Sequence, residues 1–144
     1  MKKLLLLSLC FIGFQSIGQN PDDILGVWLN QDKDAHIEIT KKGNQYFGKI
    51  IWLKFPNEED GTPKVDDENP EEKLRSQPIK GLVIVKELEW DEDDNEWDDG
   101  TIYDPKSGNT YSCYTTIKEK DVLNLRGYVG FSLIGRTNVW TRVK

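Results

Sequence analysis

Hydrophobic and polar residues alternate along most of the chain. Ala35, Ile37 and Ile39 fall on one side of an extended segment, and His36, Glu38 and Thr40 on the other. That two-residue period is the mark of a half-buried strand. Comparable short runs occupy residues 25–29, 46–53, 79–88, 101–103, 109–117, 122–129 and 132–143. Lys42-Gly43-Asn44, Asp104-Pro105-Lys106-Ser107-Gly108 and Glu119-Lys120-Asp121 separate them with turn chemistry. No segment sustains a 3.6-residue period, and no internal repeat is visible. About eight short strands with closely spaced turns predict an all-β antiparallel barrel or sandwich.

One short helix is predicted, inside the long connection over residues 54–78. Asn69 is its N-cap, Pro70 its first helical residue, and Glu71 and Glu72 favour the positive end of its dipole. Leu74 and Arg75 complete about one turn before Gln77-Pro78 stops it. A connection of this length in a compact domain is a candidate lid over a site.

The first residues read differently. Met1-Lys2-Lys3 is basic, residues 4–14 are an apolar run too short to span a bilayer as a helix, and Ser16-Ile17-Gly18 supplies small residues. This is the pattern of a secretory signal cleaved near Gly18. Cys10 raises a lipoprotein reading, but Leu9 precedes it and Phe11-Ile12 continues the apolar run. The expected organisation is a signal peptide over residues 1–18 and a single β-barrel domain over 19–144. The mature protein would be periplasmic or extracellular, with no transmembrane segment.

Composition narrows the function. The chain has 144 residues, a net charge of −6, one His and two Cys. One domain is expected at this length. No His pair and no four-Cys set is available for a metal. Removal of residues 1–18 leaves 126 residues, a charge of −8 and Cys113 as the sole thiol, which rules out an intramolecular disulfide. A core burying about two-thirds of the unfolded surface must hold the domain together. An acidic chain does not neutralise phosphate, so nucleic acid is not an expected partner. The acids are also segregated. Residues 58–72 hold eight acids and one base, and residues 87–99 hold nine acids and no base.

Several motifs in order carry a family resemblance. They are Gly26-Val27-Trp28, Tyr46-Phe47-Gly48-Lys49-Ile50, Asp66-Asp67-Glu68-Asn69-Pro70 and Leu74-Arg75-Ser76-Gln77-Pro78-Ile79-Lys80-Gly81. Gly100-Thr101-Ile102-Tyr103-Asp104-Pro105, Gly108-Asn109-Thr110-Tyr111, Leu125-Arg126-Gly127-Tyr128-Val129-Gly130 and Gly135-Arg136-Thr137-Asn138-Val139-Trp140-Thr141-Arg142 follow. Together they resemble the bacterial exported family known as domain of unknown function 2147, from Gly26 to Arg142. The resemblance implies a small lipocalin-like barrel and no particular activity. The acidic run 91–99 looks longer than that family's usual turn. Gly26-Val27-Trp28 also resembles the first-strand motif of lipocalins, in which a late-strand Arg covers the Trp at the barrel floor. Arg142 or Arg136 would take that part, by cation–π stacking.

The candidate ligand-binding residues are Trp28, Trp52, Tyr111, Arg126, Tyr128, Arg136 and Trp140. The aromatics lie on different predicted strands, and an eight-stranded barrel either fills itself with side chains or holds one small ligand. For Trp28, barrel closure is the favoured reading. Asn124, Arg126 and Tyr128 share one strand face, opposite Leu123, Leu125 and Val129. Arg126 or Arg136 would hold an anionic headgroup if its face lines a cavity, and stand in water otherwise. Asp66, Asn69 and Arg75 are loop candidates, with an Asp66–Arg75 salt bridge fixing the loop.

Asp91, Asp93 and Asn95 fall at calcium-loop spacing, but Glu96 stands where that loop needs Gly and Ile102 where it needs Glu. No metal and no cofactor is therefore expected, and Trp90 and Trp97 are expected to pair across a hairpin. A hydrolase would have to use His36, with a serine or Cys113, and catalysis is not the favoured reading. The leading expectation is an exported barrel binding a small, largely apolar or amphipathic molecule, with residues 54–78 covering the mouth. The alternative is an envelope interaction or cation-binding module using acidic loops, its barrel filled. The protein partner of such a module is unknown.

Overall fold

The computed structural model describes residues 18–144, so the expected signal segment lies outside the described residues apart from Gly18. Eight antiparallel strands form one closed barrel in sequential order. They are β1 (Gly26–Leu29), β2 (Ala35–Lys42), β3 (Gln45–Leu53), β4 (Val83–Asp91), β5 (Glu96–Asp104), β6 (Asn109–Glu119), β7 (Val122–Tyr128) and β8 (Gly135–Arg142). The barrel closes where β1 meets β8, pairing Trp28 with Arg142 and Leu29 with Thr141.

The predicted alternation holds in β2. Ala35, Ile37 and Ile39 are buried, while His36 and Glu38 are half-buried on the outer face. Trp28, Tyr46, Val85, Leu88, Trp97, Cys113, Leu123 and Leu125 complete a core that sits inside the barrel. The expected bounds shift most in three strands, of which β8 starts at Gly135 rather than at residue 132. β4 starts at Val83 rather than at residue 79, and β5 spans nine residues rather than three. Half of the acidic run is therefore strand. Glu96 and Asp98 face outward and Trp97 faces the core, packed on Trp90 at 4.7 Å between ring centres. Trp90 and Trp97 are opposite each other in the ladder, the cross-hairpin pair that the sequence suggested.

The curvature needed for closure is concentrated at bulges. Register shifts occur in β2–β3 at His36/Ile37, in β3–β4 beside Gly48, and in β5–β6 between Trp97 and Gly100. Gly100 is obligatory there, because a methyl group in its place would come within 2.5 Å of Leu88 Cδ2.

The predicted helix is corrected. Among the described residues helical structure is confined to two 3-10 turns, Pro21–Ile24 and Glu72–Leu74. Asn69 does accept a hydrogen bond from a backbone N–H two residues on, Glu71 N at 2.8 Å. Its Nδ2 is tied to Asp66, however, and the chain turns back at once into a bridge between Val65 and Pro78. That anchoring leaves no room for a full α-helical turn.

The strand order divides the barrel ends. The β2–β3, β4–β5 and β6–β7 turns lie at one end, the floor. The β1–β2, β5–β6 and β7–β8 connections and the long segment over residues 54–82 lie at the other, the mouth.

Candidate functional site

The floor is sealed from below. Asn20 Oδ1 accepts from Asp22 N and Asp23 Oδ2 accepts from Asn20 N, a capping box that forms the first 3-10 turn. The turn lies across the barrel end. Trp28 Nε1 donates to Ile24 O at 2.9 Å and Trp97 Nε1 to Pro21 O at 2.8 Å. Arg142 covers Trp28 with its guanidinium carbon 4.2 Å from the ring centre. Trp28 is therefore part of the floor and does not line the cavity above it.

Above this floor the barrel is unfilled. A cavity of about 640 Å³ opens at the mouth. Its walls include Ile37, Ile50, Ile84, Ile102, Leu125 and Trp140. Polar groups are gathered at the rim: Asp32 and Asp34 from the β1–β2 loop, Lys64 from the long segment, Tyr103 and Lys106 near the β5–β6 turn, and Arg136 on β8. Apolar walls with a few polar groups at one end are the usual build of a small-molecule site.

The inner face of β8 runs Arg136, Asn138, Trp140, Arg142. The first three line the cavity, and the fourth stacks on Trp28. An arginine thus stands at each end of one strand face. Gly127 is the register partner of Arg136, and a methyl group in its place would touch Ile102 and Tyr111 across the inner face. Arg142 is fully engaged, whereas Arg136 has no ion-pair or hydrogen-bond partner among the described residues. Lys106 Nζ lies 3.6 Å from Asp32 and 3.5 Å from Asp34. Burial pulls its pKa down, but Asp34 and Asp32 outweigh that and hold it above its ordinary value.

The sequence-derived candidates separate into groups. Tyr111, Arg136 and Trp140 line the cavity, while Tyr128 borders it at the mouth end of β7 with its ring on the outer face, 6.3 Å from that of Tyr114. Trp52 does not: it lies on the outer face of β3, 40% exposed and stacked on His36 at 4.4 Å. Arg126 does not either. Leu123 and Leu125 take the inner positions of β7, so Arg126 points out, where it bonds Ser132 O, Leu133 O and Thr137 Oγ1. Asp66, Asn69 and Arg75 lie outside the lining as well. The expected Asp66–Arg75 bridge is absent, and Arg75 Nε instead donates to Asn69 O at 2.7 Å.

Asp66 has a different partner. It is fully buried, and accepts from Tyr103 Oη at 2.7 Å and from Asn69 Nδ2 at 2.7 Å. Tyr103 itself lines the cavity, so this contact latches the long segment onto the rim. Burial and then the Asp66 hydrogen bond push the Tyr103 phenol far above its ordinary pKa. Gly108 tightens the same junction, since a methyl group there would meet Glu68 O at 2.0 Å.

Ile102, Tyr103, Lys106 and Asn138 were missed as site residues. Two had a legible signal: Asn138 shares the parity of Arg136 and Trp140, and Lys106 sits in a turn at the same barrel end. Cys113 is buried in the core, and desolvation pushes its thiol up to about 12. That is the opposite of what a nucleophilic thiolate needs. In the floor hairpin, burial and then neighbouring acids hold the Glu96 and Asp98 carboxyls above their ordinary range. Asp91 Oδ1 accepts from Asp93 N and Asp94 N, a self-contained turn.

A closed eight-stranded antiparallel barrel, sealed at one end and hollow at the other, is the architecture of a lipocalin-like protein. The chain belongs to the bacterial family described as "Uncharacterized protein conserved in bacteria (DUF2147)", which matches residues 26–142. The solved structure of HP1028 from the human pathogen Helicobacter pylori, described as belonging to the lipocalin family, is similar in fold. It superimposes with a TM-score of 0.69 at 22% identity, over 83% of this chain and 82% of that one. No curated protein matches the chain. Among the described residues, no helix is long and apolar enough to cross a membrane.

Proposed function

We propose that this protein is an exported carrier or receptor barrel that binds one small, largely apolar molecule with an anionic end. The observation that carries the reading is the 640 Å³ cavity with its isoleucine- and tryptophan-lined walls and an unpaired Arg136 at its rim. The apolar body occupies the barrel, where it loses its contact with water. The anionic end meets the Arg136 fork, which matches carboxylate, sulfonate or phosphate geometry. The Asp66–Tyr103 latch holds residues 54–82 beside the mouth as a fixed rim. Export rests on the signal-like pattern of residues 1–18.

Anilinonaphthalene sulfonate, an apolar anion with a fluorescent readout, tests this directly. The expected outcome is saturable one-to-one binding, weakened about tenfold by Arg136→Ala and unchanged by Lys42→Ala at the floor end of β2. Equal affinity in wild type and Arg136→Ala would remove Arg136 from the role, and no binding would count against the cavity as an amphiphile site.

A further inference from the structure

The β7–β8 connection presents an unusual surface. Val129, Phe131, Leu133 and Ile134 are 64%, 73%, 91% and 66% exposed. Four large apolar side chains on one six-residue loop form a patch of the kind that marks an interaction site. The loop is nevertheless built rather than slack. Val129 N donates to Ile134 O at 3.2 Å, and Ile134 N to Phe131 O at 2.9 Å. Arg126 grips the loop from the outer face of β7 through the Ser132 and Leu133 carbonyls. Those bonds fix the loop backbone and leave Phe131 and Leu133, which are outside the cavity lining, as its most exposed side chains.

Charge says what such a wedge fits. From Val122 to Lys144 the chain has four bases and no acid. Arg126 and Arg136 flank the loop, and Arg136 has no anionic partner among the described residues. Apart from the rim acids Asp32 and Asp34, which pair with Lys106, and Asp104, which is bonded within its own turn, the acids lie elsewhere. Nine of them are on or beside the β4–β5 hairpin, whose tip is at the opposite barrel end. The acidic long segment packs over the β5–β6 side of the mouth, against Tyr103 and Gly108. The β7–β8 corner is therefore the apolar and cationic corner of an acidic protein. An apolar tip flanked by arginines matches a membrane surface with anionic headgroups, where the tip enters the acyl boundary and the guanidinium groups meet phosphate.

We propose that the loop around Val129–Ile134 docks the barrel onto an anionic lipid surface, mouth first. Val129 and Ile134 also line the cavity entrance, so docking places that entrance against the lipid. The surface does not depend on the cavity being occupied, and the two readings fail separately. A delipidated protein that binds vesicles but no amphiphile upholds the docking surface and overturns the proposed function.

The test uses protein exported from cells expressing the full chain, labelled with nitrobenzoxadiazole at Ser132→Cys. Cys113 is buried and stays unlabelled. A second preparation carries the label at Asn44→Cys in the β2–β3 turn, at the floor. Vesicles contain phosphatidylglycerol and phosphatidylcholine in equal parts, with pure phosphatidylcholine as the comparison. The expected result is a blue shift and severalfold brightening at residue 132 with the anionic vesicles, none at residue 44, and suppression by salt. Phe131→Ser with Leu133→Ser, both solvent-exposed and harmless to the core, weakens vesicle binding about tenfold or more. An unchanged spectrum at residue 132 overturns the proposal. So does vesicle binding that the double variant leaves intact, or a loop buried instead between two copies of the chain, seen as a concentration-dependent dimer that the double variant dissociates.

Discussion

Arg142 lies over Trp28, its guanidinium carbon 4.2 Å from the ring centre, while its three nitrogens bond three different parts of the chain. Nε donates to Asp121 at 3.0 Å, Nη1 to Leu25 O at 2.7 Å and Nη2 to Asp23 O at 2.6 Å. One side chain thus ties the last strand to the first 3-10 turn, the β6–β7 turn and the floor tryptophan. Arg142→Lys keeps the charge but loses the planar fork. It should destabilise the barrel by about 1–3 kcal/mol, read by urea denaturation.

The mouth has its own fastening. Tyr103→Phe removes the phenol from a fully buried Asp66 and leaves one carboxylate oxygen without its partner. A loss of about 1–3 kcal/mol is expected. Gly108→Ala attacks the same junction sterically, at a residue whose φ of 70° also disfavours a side chain. Both variants should speed amide exchange in residues 64–69 more than in the barrel strands.

Stability should fall in alkali. Tyr46, Tyr103 and Cys113 all have raised pKa values in the folded protein, chiefly through burial. The native state therefore holds protons that the unfolded chain releases. The associated stability is fully present below the ordinary thiol and phenol values, about 8.5 and 10, and drains away as pH rises above them. Denaturation midpoints at pH 8 and pH 11 check this, and Tyr103→Phe should flatten the decline.

The floor hairpin is loaded with like charge. Glu96 and Asp98 have raised carboxyl pKa values, from burial first and from neighbouring acids second. A raised carboxyl contributes stability at low pH that is lost as pH climbs through the carboxylate range. Asp98→Asn should therefore stabilise the protein at neutral pH, by about 0.5 kcal/mol or less, with the gain shrinking in high salt.

Much of the barrel was legible because alternation maps directly onto inside and outside. Ala35, Ile37 and Ile39 are an example, and the pairing of Trp90 with Trp97 is another. β5 was underread because its first residues are acidic, and outward acids mask the inward Trp97. The first 3-10 turn was missed although Asn20-Pro21-Asp22-Asp23 repeats the cap pattern of Asn69-Pro70-Glu71-Glu72. The site was only partly legible. Arg126 and Arg136 look equivalent in sequence, and only strand parity within the closed barrel separates them. Leu123 and Leu125 hold the inner positions of β7, while Asn138 and Trp140 bring Arg136 to the inner face of β8. Latch contacts such as Asp66 with Tyr103 join residues 37 positions apart, which no local pattern encodes.

A small amphipathic molecule held in the cavity should survive purification without detergent and be visible by native mass spectrometry of residues 19–144. The expected spectrum has one discrete extra mass per chain, lost on denaturation, recovered in an organic extract and absent from Arg136→Ala. A bare polypeptide mass from every preparation, unchanged after incubation with host lipid extract, would contradict it.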